Sequence, residues 1–334
     1  MRRPAGALLL LAAPLVVVLA SFLVGRYPLS PLTVLRVIAA EFLPIAPDWP
    51  AVVRAVVIEV RLPRILGALL IGAGLAVSGA CYQGVFRNPL VSPFILGVSA
   101  GAGFGAALAI LYCPAPGAVA GTAFLCGLAA VAVCFALARS YQAAPTLVLV
   151  LAGVIVGAFF TALLSLLKYT ADPESRLPLI EFWLLGSLSG LGWRDIAGLA
   201  ALVLPSGAVL MGLRWRLNLL ALGEAEARAL GVDTTRLRAV VLVFATLIAA
   251  VTVAVAGIVG WVGLVVPHAA RILVGADFRR SLPVSAVLGG CYLVAVDDLA
   301  RTVTTAELPI GVLTALVGAP VFALLLRRRA LGWA

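Results

Sequence analysis

Few residues of this chain can do acid–base or covalent chemistry, and their spacing argues for docking in place of catalysis. Lys168, in SLLKYT, is its single lysine and has no glycine-rich loop before it, so the phosphates of ATP have no cradle here. His268 is the only histidine, and Cys81, Cys113, Cys126, Cys134 and Cys291 lack metal-ligand spacing. A metal needs several convergent ligands, so none is expected, and the thiols read as buried and free. Asp297 and Asp298 stand near the end of an apolar run. Asp297 can pair with Arg301 one turn on, which makes a structural ion pair the better reading than an ion-coupling relay.

The densest polar stretch, Asn218 to Arg238, reads NLLALGEAEARALGVDTTRLR. Glu224 and Glu226 precede Arg228, the order that a helix dipole favours. Gly231 supplies a left-handed stop, and Asp233 or Thr234 can cap the next helix. Ala225, Ala229 and Leu230 form a small, mildly apolar face, the kind that lies in a groove on a partner. The competing reading is a charged loop held in headgroups by its arginines.

The elements that carry this stretch are apolar throughout. The chain is 63% hydrophobic and 11% charged, and its mean hydropathy of +1.18 exceeds what a soluble fold can bury. An all-α, polytopic membrane protein is expected. The net charge of +10 is distributed between apolar runs and forms no basic patch, which argues against nucleic acid. Spans are expected at Ala5–Val24, Ile65–Tyr82, Phe94–Tyr112, Gly117–Ala138, Thr146–Leu167 and Ile196–Leu213. The first is too long for a signal core. Six crossings put the polar stretch on the side of the N-terminus.

Parity decides the topology of the C-terminal third. Ala239 to Pro267 is too long for one comfortable helix and is punctuated by Gly257, Gly260 and Gly263. Runs at Leu282–Val296 and Leu308–Leu326 lead to Arg327, Arg328 and Arg329. Two helices with a turn near Gly257–Gly260 bring these arginines inside, as the positive-inside rule asks. About ten spans with both termini cytoplasmic result, leaving nine of the 24 basic residues outside. Gly97, Gly101 and Gly105 recur at four-residue spacing, as do Gly153 and Gly157, and such glycines let membrane helices approach closely. No tandem repeat or soluble segment interrupts the chain, so residues 1–334 read as a single transmembrane domain with the polar stretch 218–238 on its cytoplasmic side.

Four blocks resemble the FecCD family: Arg61–Gly105, beginning RLPRILGALLIGAG; LGEAEARALGV, Leu222–Val232; GWVGLVVPHAARILVGADFRR, Gly260–Arg280; and AELPIGVLTALVGAPVF, Ala306–Phe322. These are permease subunits of ABC importers for iron–siderophore complexes, haem and vitamin B12. The resemblance implies a ten-helix, BtuC-like fold of the type II importers, a homodimer in the bacterial inner membrane, and two cytoplasmic ATPase subunits that bind the ATP and magnesium. It also implies a periplasmic or lipid-anchored binding protein that delivers substrate. The chain itself would hold no cofactor and have no ATPase site.

The resemblance assigns coupling to the ATPase to Gly223, Glu224, Ala225, Ala229, Leu230 and Gly231. It assigns docking of the binding protein to Arg61, Arg64 and Arg301, clustered at the outer mouth. Ala144, Pro145 and Thr146 fall where relatives narrow the cytoplasmic end of the pathway, although Pro145 departs from the usual small polar pair. Asn88 and Pro89 read as a helix boundary, Pro89 breaking the helix and Asn88 satisfying backbone groups, or as a mechanistic element. Pro267 and His268, near Arg271, read as structural. Relatives also carry molybdate or tungstate, and an ion-coupled secondary carrier is the alternative from a different class.

Overall fold

The computed structural model describes residues 4–113, 115, 117–139 and 145–327, and every regular element among them is helical. In chain order these are α1 (Pro4–Leu23), α2 (Pro31–Ala40), α3 (Ala51–Phe86), α4 (Val98–Tyr112), α5 (Ala118–Arg139), α6 (Pro145–Thr170) and α7 (Arg176–Leu185). Beyond them lie α8 (Trp193–Leu222), α9 (Glu224–Ala229), α10 (Thr234–Ala256), α11 (Val262–Val274), α12 (Phe278–Thr302) and α13 (Ile310–Arg327).

Tertiary contacts fix the direction of each pass. Arg64 near the start of α3 bonds Asp297 near the end of α12, while Gly84 at the other end of α3 lies against the Phe278 ring at the start of α12. The start of α8 packs on Gly67, its far end reaches Asp277 through Asn218, and the end of α10 returns to Ser187. The chain therefore makes ten passes, α1, α3, α4, α5, α6, α8, α10, α11, α12 and α13. The start of α1 and the end of α13 lie on the side that carries α9.

Six of these helices are long and apolar enough to cross a membrane by themselves: α3, α5, α6, α8, α10 and α12. Two others, α4 and α11, are only 15 and 13 residues long. Each is short because non-helical chain precedes it at depth. Gly97, which caps α4, is 3.3 Å by its ideal Cβ from the backbone of Gly157 midway along α6, and Trp261, which caps α11, rests against Gly318 in α13. The expected division of Ala239–Gly275 is thus present, with the break at Gly257–Trp261 and Gly257 at a φ of +70°.

Helix α3 is the axis of the bundle, with 78% of its most apolar window buried against 22% for α6. Glycine makes this packing close. Gly72 meets Gly289 of α12 and Gly79 meets Gly263 of α11, backbone to backbone. Ser78 donates to the Ala245 carbonyl at 2.7 Å, and the Tyr82 hydroxyl lies 2.6 Å from Thr246 Oγ1, which ties α3 to α10. Gly101 and Gly105 press α4 onto α5, where Thr122 donates to the Gly105 carbonyl at 2.9 Å, and Gly153 of α6 lies on the Ile95 carbonyl. Gly79→Val would drive Cβ into the Gly263 carbonyl, with backbone on both sides and nothing flexible to yield. A loss of about 1–3 kcal/mol or more is expected in thermal unfolding in detergent. Gly207→Ala, whose Cβ meets nothing within 4 Å, is expected to leave stability unchanged.

Two boundaries differ from the hydropathy reading by more than two turns. Helix α3 starts at Ala51 and not near Ile65, because Arg54, Glu59, Arg61 and Arg64 interrupt the apolar run while the backbone continues through a π-helical segment, Ala55–Arg61. Helix α8 continues to Leu222, so Asn218 belongs to a span and the polar turn begins at Gly223. Helices α2 and α7, of ten residues each, are too short for the span criterion.

Candidate functional site

Two polar clusters stand at opposite ends of the bundle. At the first, α8 stops at Gly223, whose φ of +137° is open to glycine and whose missing Cβ leaves room for the Glu226 carboxylate. Helix α9 is a turn and a half long and is fastened by Glu224. That carboxylate accepts from Arg228 at 2.6 Å and from Arg238 at 3.5 Å, while Arg228 Nε donates to Thr234 at 3.2 Å. Gly231, at a φ of +80°, turns the chain, and Asp233 caps α10 by accepting from the Arg236 amide at 2.9 Å.

This fastening orients the small face. Ala227 is fully buried toward the bundle, whereas Ala225, Ala229 and Leu230 are exposed, Leu230 by 61%. Beside them a groove of about 670 Å³ runs between α8 and α10, floored by Leu213, Leu237 and Val240 and rimmed by Arg216, Asp233 and Arg236. The element is also tied to the core. Asn218 donates to Asp277 at 2.7 Å and accepts from the Phe278 amide at 2.9 Å, so the end of α8 is tied to the start of α12. The Arg279 amide and the Asn218 amide group hold the Asp277 carboxyl below the usual carboxylate range. The result is a short helix, following directly on α8 and fastened to α10, whose small face is left bare.

At the opposite end Arg61, Arg64 and Arg301 do come together, but not as an exposed cluster. They are 3%, 5% and 6% exposed and bond within the chain, with Arg301 Nε the one buried side-chain nitrogen of the three that has no hydrogen-bond partner. Arg61 bonds the carbonyls of Phe22 and Tyr27, the latter at 2.5 Å, placing a cation at the C-terminal end of α1 where the helix dipole favours it. Arg64 donates twice to Asp297, at 2.8 Å for the closer pair, and to Glu307 at 2.9 Å. Arg301 bonds Asp298, the Ser21 carbonyl at 2.9 Å and Ser21 Oγ at 2.7 Å. The three are therefore not displayed as a free, exposed cluster at this end. Carboxylates of α12 and of the segment before α13 take up Arg64 and Arg301, and the Phe22 and Tyr27 carbonyls take up Arg61. The docking role stays an expectation from the family resemblance. Asp297 pairs chiefly with Arg64, its Arg301 contact being 3.9 Å. Sequence reasoning missed Glu307 and Ser21, which have no spacing signal because they are distant in the chain.

The remaining candidates sit singly. Asn88 follows Arg87, which closes α3 at a φ of +50°; its side chain accepts from the Leu90 amide at 2.9 Å, and Pro89 lies in the turn. His268 is buried in α11, behind Pro267, with Nδ1 3.2 Å from Arg271 and its ring edge-on to Phe322. Arg271 in turn donates to Gln83 at 2.5 Å. Among the described residues no group of three or more His, Cys, Asp or Glu converges there or elsewhere. Lys168 pairs with Glu181 at 2.6 Å, joining α6 to α7. Ala144 lies outside the described residues, as do the side chains of Pro145 and Thr146 at the start of α6.

Comparison with known proteins agrees with this geometry. The FecCD transport family profile matches residues 10–328. The molybdate import system permease protein MolB of Haemophilus influenzae is 42% identical over 90% of this chain and 89% of its own length. The cobalamin import system permease protein BtuC of Halobacterium salinarum is 42% identical over 84% of this chain and 75% of its own. A solved chain described as a metal-chelate type ABC transporter in an inward-facing conformation superposes with a TM-score of 0.88 at 40% identity, covering 98% of this chain and all of that one.

Proposed function

The chain belongs to the FecCD transport family, as a multi-pass ABC importer permease whose ATPase activity lies in separate subunits, and on that premise we propose that it forms the path for a metal chelate. Two copies would enclose the path, two ATPase subunits would drive it, and a periplasmic or lipid-anchored binding protein would load it. The substrate class is an iron–siderophore complex, haem or cobalamin. The membrane would be the bacterial inner membrane with both termini cytoplasmic, a reading supported by Arg214, Arg216, Arg228, Arg236, Arg238, Arg279 and Arg280 on the side that carries α9.

The observation that carries the reading is α9, an exposed small-faced helix that Glu224 and Arg228 fasten to α10 and that follows directly on α8, whose end Asn218 ties to the start of α12. A secondary carrier has no use for such an element. A second substrate reading, molybdate or tungstate, is favoured by the 42% identity to the molybdate permease over nine-tenths of the chain.

Reconstitution in liposomes with the ATPase subunits and the cognate binding protein tests both. ATP-dependent uptake of a ferric siderophore, haem or cobalamin is expected, with no uptake under an ion gradient alone. Uptake of molybdate with none of the chelates would replace the first substrate reading by the second. Gradient-driven uptake without the ATPase would overturn the importer reading altogether.

A further inference from the structure

A groove of about 470 Å³ opens sideways between α1, α3, α8 and α12, and its lining is almost wholly apolar. Gly207, whose missing Cβ leaves open space, widens it on α8 beside Leu204 and Met211, Gly74 lies on α3, and Ala286 and Gly290 lie on α12. On α8 the lining positions 204, 207, 208 and 211 share one face, and the same face continues one turn on at Arg214 and Trp215. On α12 the lining positions 290 and 286 continue, at spacings of three and four, through 283 to Arg279. The two stripes meet. Arg279 stacks on the Trp215 ring, 3.8 Å from its centroid, and Arg214 folds back onto the Met211 carbonyl at 3.0 Å.

The ion pairs of the described residues include neither Arg214 nor Arg279. Asp277 is the carboxylate near Arg279, and it is held by Asn218 and by the Arg279 amide. Trp215 is half exposed, in the manner of a residue at the headgroup level. From Leu204 to Trp215 is about 16 Å along the helix, close to the roughly 15 Å depth of one leaflet's hydrocarbon.

We infer that this groove is a phospholipid site, one acyl chain lying between α8 and α12 and the phosphate resting on Arg279 and Arg214 beside Trp215. The surface is open to the side at membrane depth, which excludes a water-borne ligand. The cations at its end select an anionic headgroup, in the leaflet on the side that carries α9. A lipid seated here touches α8 and α12 just above the Asn218–Asp277 link, so it bears on the same two helices as the coupling turn.

The test is native mass spectrometry of the full-length chain released from nanodiscs containing phosphatidylglycerol and phosphatidylcholine in equal parts. Wild type is expected to retain phosphatidylglycerol in preference. Arg279→Gln should lower retained phosphatidylglycerol about fivefold and leave phosphatidylcholine unchanged. Gly207→Leu, which starts from a Cβ with open space around it, should lower both while leaving thermal stability intact. Unchanged retention in both variants would overturn the site. So would oxidative cross-linking of Gly207→Cys into a covalent dimer, which would place a second copy of the chain over the groove.

Discussion

Ala229→Trp is expected to abolish ATP-driven uptake while the chain still inserts, folds and unfolds at the wild-type temperature. Ala229 is exposed on α9, so added volume meets nothing within this chain. The side chain would instead intrude into whatever receives the small face. Overpacking at a close contact costs about 1–3 kcal/mol, or roughly 5- to 150-fold in the docking equilibrium. Ala225→Trp should act alike, because the two positions are four residues apart on one face. Co-purification of the ATPase subunits, together with their hydrolysis rate in the presence of the binding protein, reads the effect. Wild-type assembly and uptake in both variants would leave α9 as a headgroup-bound turn with no coupling role.

The second large effect belongs to the buried arginines. Arg64→Met should destabilise the chain by about 3–5 kcal/mol, because Asp297 is 2% exposed and would be left buried without its main partner. Pairing Arg64→Met with Asp297→Asn should return more than half of that loss, since the orphaned carboxyl group is then removed. Thermal unfolding in detergent, without any binding protein, measures both variants. If Arg64→Met unfolded like wild type and lost only affinity for the loaded binding protein, Arg64 would be a docking residue after all and the network a secondary feature. The same network bears on how the outer end is held. Through Arg61, Arg64 and Arg301 it joins the end of α1, the start of α3, the end of α12 and the segment before α13. A binding protein docking at that end would have to use other exposed groups or open this cluster.

Local pattern was enough for much of the architecture. Apolar runs long enough for a bilayer placed most of the spans, because in lipid a backbone must satisfy itself and hydropathy alone then selects helix. Parity with the terminal arginines divided Ala239–Gly275 correctly, since Gly257 and Gly260 mark the break that the odd count would not allow. The local structure of the polar turn was legible for the same reason. Gly223, Glu224, Gly231 and Asp233 are cap and stop residues whose partners lie within fifteen positions, so their bonds are written in their spacing.

Distance in the chain hid the rest. Arg64 finds its carboxylates 233 and 243 residues away, and Arg301 finds Ser21 at 280, so a cluster read as an exposed mouth is a buried clasp. Charges in Ala51–Arg64 looked like a loop before a span, whereas pairing across the fold lets them continue α3 upward. Asn218 looked like the first residue of a polar stretch and is instead the bolt between α8 and α12. Which segments are helical, how many times they cross and where the polar turn lies were readable residue by residue, because they depend on hydrogen bonds and transfer energies within a few turns. Which charges neutralise one another, which face of α9 is left bare and which groove opens to lipid were not. Those depend on which helices lie side by side, and close contacts such as Gly72 on Gly289 and Gly79 on Gly263 set that.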